Sequence, residues 1–156
     1  MGISTIGHIG ICVSDLARSL IFWRDALGFN VIQESSFRGR SWMRILELDD
    51  LDLQTAIIRR GHVTLELLAF VKPGHVGSAE RRPMNQLGFT HIAIWVDDLD
   101  VVAKQVVDHG GALVEETRTI FDQPHIKARW LMATDPDGTR LELVEYPDGE
   151  AALAQF

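Results

Sequence analysis

Apolar and polar residues alternate along this chain in a pattern that is written twice. "HIGICV" at 8–13 places Ile9, Ile11 and Val13 at every second position, and "HIAIWV" at 91–96 does the same with Ile92, Ile94 and Val96. A period of two, rich in β-branched residues, predicts a strand with one buried face. Each strand runs into a helix signal. "SDL" and "DDL" offer Asp15 and Asp98 as N-caps, after which Leu16, Leu20, Trp23 and Leu27, or Leu99, Val102, Ala103 and Val106, recur at helical spacing. Gly28 and Gly110-Gly111 stand where helices end. A shift of 83 residues lays His8 on His91, Asp15 on Asp98, Gly28 on Gly111 and Val31 on Val114, nine identities across 8–31.

Three more strands are expected in each copy, at about 29–36, 41–48 and 62–70, and at 112–118, 127–134 and 139–146. "DPDGT" at 135–139 is turn chemistry suited to a hairpin. The predicted class is α+β: two tandem βαβββ modules, about 5–72 and 89–147, forming a curved, cup-shaped mixed sheet with helices outside. A Gly-, Pro- and charge-rich linker at about 73–88 joins them within one domain, and a tail follows at 148–156. "VTLELLAF" at 63–70 and "TRLELVEY" at 139–146 also echo each other, but at an offset of 76. The second copy is therefore seven residues shorter between its histidine and its Leu-Glu-Leu.

Strand alternation sorts the unusual side chains. With Ile9, Ile11, Val13, Leu65 and Leu67 under a helix, His8, Cys12 and Glu66 face away from it; in the second copy His91, Trp95, Glu142 and Val144 face away. Strand histidines are commonly surface or hydrogen-bonded residues, and a glutamate among leucines can lie on a solvated face. Recurrence of both at equivalent positions favours a chemical role, and two imidazoles with two carboxylates suit a divalent metal.

Composition narrows the classes. Hydrophobic residues are 46% and charged residues 24%, as in ordinary globular chains, and no apolar run reaches membrane-span length. The net charge of −7 opposes nucleic-acid binding. Arg59-Arg60 and Arg81-Arg82 are local basic pairs, read as solvated surface or as contacts to an anionic ligand. The lone Cys12 excludes an internal disulfide and, with no signal peptide visible, fits a cytoplasmic protein.

Paired βαβββ units, each opening with His-Ile-x-Ile and closing with a Leu-Glu-Leu strand, resemble the vicinal oxygen chelate superfamily of glyoxalase I, methylmalonyl-CoA epimerase, extradiol dioxygenases and bleomycin resistance proteins. "FWRDALGF" at 22–29 is similar to the Phe-Tyr-x-x-x-Leu-Gly-Phe of these families. The resemblance implies His8, Glu66, His91 and Glu142 as ligands of one divalent ion: Ni, Co, Zn, Mn or Mg, or Fe in a dioxygenase. It implies a lyase or isomerase of the glyoxalase I or epimerase type that removes a proton α to a carbonyl. Glu142 is favoured as the base, with Glu66 the other candidate. It further implies a small-molecule substrate and a homodimer, with the cup built within one chain or across two.

Two other activities stay open under the resemblance. An extradiol dioxygenase would use His8, His91 and Glu142, but lacks a ligand like Glu66; His75 and His125 would stand for its additional histidines. A drug-binding resistance protein would catalyse nothing, but such proteins typically lose the ligands kept here. Epimerases need a second acid/base glutamate on the third strand of the first module, where the alignment gives Arg44, with Glu47 the nearest substitute. Trp95, Cys12, Arg44, Trp42 and Trp130 are the expected lining of a substrate pocket, and Trp23 is read as either lining or core.

Overall fold

The computed structural model describes residues 2–124 and 126–147. The chain divides into two compact units between Gly77 and Ser78, inside the segment read as linker. Each unit has a four-stranded mixed sheet with the same strand order, so the class is α+β with a duplicated βαβββ plan. No helix among the described residues is long and apolar enough to cross a membrane.

In the first unit β1 (Ile9–Cys12) leads into α1 (Leu16–Ile21), then come β2 (Asn30–Arg38), α2 (Arg40–Leu46), β3 (Asp52–Arg60) and β4 (Val63–Lys72). The sheet order is β1-β4-β3-β2, with β1 parallel to β4 and the other pairs antiparallel. Asp15 caps α1 by accepting the Arg18 amide at 2.8 Å. The helix then widens into a π-helical turn over Phe22–Ala26. That turn buries both Phe22 and Trp23 completely, with Trp23 meeting Phe22 and Phe29 edge-on at 5.9 and 5.3 Å. Trp23 is thus core beneath the sheet and lines no pocket. Side chains of this size each stabilise the fold by about 1.5–3 kcal/mol when buried. In the sheet Leu65, Leu67, Ala56 and Ile58 are likewise at most 1% exposed. At the strand starts Ile9, assigned by alternation to this core face, is instead exposed, and so is Val63.

The strand expected at 41–48 is the helix α2, and the true third strand is β3 at 52–60. "SWMRILEL" satisfies both periods, since Trp42, Ile45 and Leu46 also share helical spacing. Glu47 ends the helix in the left-handed conformation (φ 58). Arg44 therefore stands exposed on a helix, and the strand position at which an epimerase would carry its second base is not Arg44's. α2 is seven residues long and has no counterpart among the described residues of the second unit, matching the seven-residue excess of the first copy.

The second unit runs β5 (Ile92–Trp95), α3 (Leu99–Asp108), β6 (Ala112–Gln123), β7 (Ile126–Thr134) and β8 (Arg140–Glu145), ordered β5-β8-β7-β6. Leu99, Ala103 and Val106 of α3 are buried against Leu131, Ala133, Leu141 and Leu143. Asp98 caps α3 through the Asp100 and Val101 amides, and Glu145 Oε2 accepts the Leu99 amide at 2.7 Å. Arg129 joins Glu145 to Asp100, and Arg118 joins Asp100 to Glu115. The hydrogen bond from Arg129 holds the Asp100 carboxyl below its ordinary range. The two glutamates of "LELVEY" thereby separate by strand alternation: Glu145 serves the helix and Glu142 faces the other way.

Candidate metal-binding site

Each sheet carries one histidine–glutamate pair on the face away from its helix. In the first unit Glu66 lies on β4 opposite Gly10 of β1, and His8 immediately precedes β1. His8 Nε2 stands 3.0 Å from Glu66 Oε2, with the imidazole about half exposed and the carboxylate mostly covered. In the second unit Glu142 lies on β8 opposite Ala93 of β5, and His91 Nε2 stands 3.4 Å from Glu142 Oε2. Thr90 Oγ1 is 2.9 Å from the far ring nitrogen, His91 Nδ1. The parallel pairing continues past each short strand, since Val13 donates to Leu68 O and Val96 to Val144 O at 2.9 and 2.8 Å. This fixes the register that sets each histidine beside its glutamate.

The small residue opposite each glutamate matters. A side chain on Gly10 would press on Leu68 at 3.2 Å, and the residue opposite Glu142 is the small Ala93. Two ligand atoms each about 2.1 Å from one ion, and about 90–110° apart, lie about 3.0–3.4 Å from each other. Both pairs have that separation, and neutral imidazole with carboxylate is a donor set for Ni, Co, Zn, Mn or Fe. Neither unit, among its described residues, brings a third His, Cys, Asp or Glu into such a group.

The remaining predicted residues fall as follows. Cys12 is exposed on the Glu66 face, in register with Leu68. Trp95, Val144 and Trp130 form one row across β5, β8 and β7, one row along from Glu142. Trp95 is 54% exposed and Val144 only 1%, although Val144 faces away from α3. Trp130 also meets Phe121 and Tyr146 edge-on, at 5.2 and 5.9 Å. That aromatic stack was not foreseen, although alternation along β6 and β8 carries Phe121 and Tyr146 to the Glu142 face. Trp42 of α2 packs on Phe37 at 4.3 Å between ring centres. His75 is exposed, and His125 lies outside the described residues.

The profile of the Glyoxalase/Bleomycin resistance protein/Dioxygenase superfamily matches residues 5–143. The chain is 32% identical over 146 residues to the uncharacterized protein YaeR of Escherichia coli strain K12, covering 93% of this chain and 98% of that one. It is 25% identical over 146 residues to a lactoylglutathione lyase of Salmonella typhimurium, covering 94% and 96%. Among solved structures, a glyoxalase family protein from Bacillus cereus shares the fold with a TM-score of 0.80 at 21% identity, covering 93% of this chain and 95% of that one. With the duplicated sheet and the two His–Glu pairs, these matches establish that the chain belongs to the Glyoxalase/Bleomycin resistance protein/Dioxygenase superfamily.

Proposed function

We propose that the protein is a metal-dependent lyase or isomerase of the glyoxalase type, acting on a small molecule that carries a proton α to a carbonyl. The observation that carries this reading is the duplicated His–Glu pair, at 3.0 Å in one unit and 3.4 Å in the other. His8, Glu66, His91 and Glu142 are the ligands of one ion per chain. When bound, a divalent ion polarises adjacent substrate oxygens and stabilises the negative charge that develops as the proton leaves. The lactoylglutathione lyase among the relatives supports the reaction class.

The chain's own residues supply the rest. Glu142 accepts the proton, with Glu66 as the other candidate base. Trp95, Val144 and Trp130 make an apolar row next to Glu142, which excludes water from one side of the carboxylate and strengthens the electrostatic interactions made there. Thr90 holds the ring plane of His91 through Nδ1. Metal analysis of the purified, reconstituted protein tests the assignment. Wild type should hold about one equivalent of Ni, Co, Zn or Mn, and Glu142→Ala and Glu66→Ala should lose it while remaining folded by circular dichroism. Iron retained undiminished in Glu66→Ala would move the protein to the dioxygenases. No metal in reconstituted wild type would overturn the reading.

A further inference from the structure

Arg59 has no part in the chemistry above, yet it stands on the face that carries His8 and Glu66. It pairs with Thr64 across β3 and β4, and Glu66 pairs with Ile57 on the same face. Continuing the β1–β4 register one residue back from Ile9 and Leu65 sets His8 opposite Thr64. Arg59, Thr64 and His8 are therefore neighbours in one row of three strands. Arg59 Nε donates to Thr64 Oγ1 at 3.1 Å, which lays the guanidinium over β4. One strand spacing, about 4.8 Å, then separates it from the strand that follows His8.

Most other arginines of its own unit are engaged or lie off the sheet. Arg60, its chain neighbour, points to the opposite face and donates to the carbonyl of Leu27. Arg24 and Arg38 have carboxylate partners, and Arg18 donates to Ser14 Oγ. Arg40 and Arg44 are on α2, outside the strands. Among the described residues Arg59 meets one hydroxyl and no carboxylate or carbonyl, which leaves its four Nη hydrogens for another acceptor. A chain with net charge −7 has many carboxylates that could neutralise it, and none of the described ones is paired with it.

We propose that Arg59 is a substrate-binding residue that recognises an anionic group, a carboxylate or a phosphate, on the molecule whose reacting oxygens are bound beside His8 and Glu66. This rests on the proposed metal site and names the substrate class: a small anion, with its charged group a few bonds from the reacting carbonyl. A planar fork of N–H donors suits such a group in a two-point contact.

The test uses matched metal-chelating probes on the Zn-loaded protein, with affinity read by calorimetry. Acetohydroxamate presents two vicinal oxygens and no further charge. Succinate monohydroxamate and 3-phosphonopropionohydroxamate add a carboxylate or a phosphonate on a two-carbon arm. Wild type should bind one of the charged probes at least about tenfold more tightly than acetohydroxamate, and the better one identifies the anion. Arg59→Met should erase that preference and leave acetohydroxamate affinity unchanged, with Arg59→Lys intermediate. Should Arg59→Met unfold, Arg59→Gln keeps a polar donor for Thr64 and is read instead. A wild type without preference, or a preference that survives the loss of the guanidinium, overturns the role of Arg59 alone. Failure of all three probes to bind wild type overturns the metal site and this inference with it.

Discussion

An imidazole that gives its Nε2 lone pair to a metal must carry its proton on Nδ1, and something must accept that proton. Thr90 Oγ1 is in place to do so for His91 at 2.9 Å. Hydrogen bonds of this kind fix the tautomer and raise the basicity of the ligating nitrogen, and their loss typically costs about 10–100-fold in metal affinity. Thr90→Val is nearly isosteric and removes the acceptor. It should weaken metal binding by about tenfold in a competition assay with a chromogenic chelator, whereas Thr90→Ser should restore it. An unchanged affinity in Thr90→Val would mean that the hydroxyl positions nothing. Residue by residue, strand alternation made His8, Glu66, His91 and Glu142 legible because two faces are all a strand offers. It misled at Ile9, a core-face position by alternation that is exposed at the start of its strand. Burial at a strand end depends on what covers it, which a period along one strand does not report.

At the scale of elements, the β7–β8 hairpin shows turn chemistry working as the residues of "DPDGT" predict. Asp135 Oδ1 accepts the amides of Asp137 and Thr139, at 2.9 and 2.7 Å, and Gly138 takes φ 84. A Cβ on Gly138 would lie 2.2 Å from the Ala79 carbonyl oxygen, so the turn needs glycine for space as well as for conformation. Asp135 is 2% exposed, and burial pushes its carboxyl above the ordinary value, while the two amides pull the other way. The folded state then holds this proton more tightly than the unfolded chain does. Its contribution to stability therefore falls as pH rises from the ordinary carboxyl value through the raised one. Asp135→Asn keeps an acceptor for both amides and cannot ionise. In urea unfolding from pH 7 to pH 4, wild type should gain stability relative to Asp135→Asn; a constant difference would refute the raised value.

The same scale shows where reading elements from one sequence stopped. A hairpin turn of Gly and Asp announces itself, but "SWMRILEL" fits helix and strand alike. β3, "DLQTAIIRR", falls between the strands expected at 41–48 and 62–70, which already complete the count for the module. The tight Gly61-His62 turn before β4, with Gly61 at φ 56, was the available signal. Recognising it would have placed Arg59 on the His8 face and released 41–48 to be a helix.

For the whole molecule, duplication is the property that the sequence announced most clearly, and both sheets have the same order, with a parallel pair that brings histidine to glutamate. If both pairs act on one ion, metal affinity must depend on them jointly. A ligand present at about 100 times its dissociation constant stabilises the folded state by about 2.7 kcal/mol. For a chain of this size that raises the melting temperature by about 5–10 °C. Saturating Zn should produce such a shift in wild type. His8→Ala and His91→Ala should each remove most of it, and the double variant should lose little more than either alone, because neither pair retains the ion without the other. Two independent sites would behave differently: each single variant would keep about half the shift, and the losses would sum in the double variant. Additive losses would leave the duplicated pairs as two separate weak sites and would overturn the single-ion chemistry, whereas non-additive losses require both units to bind one ion.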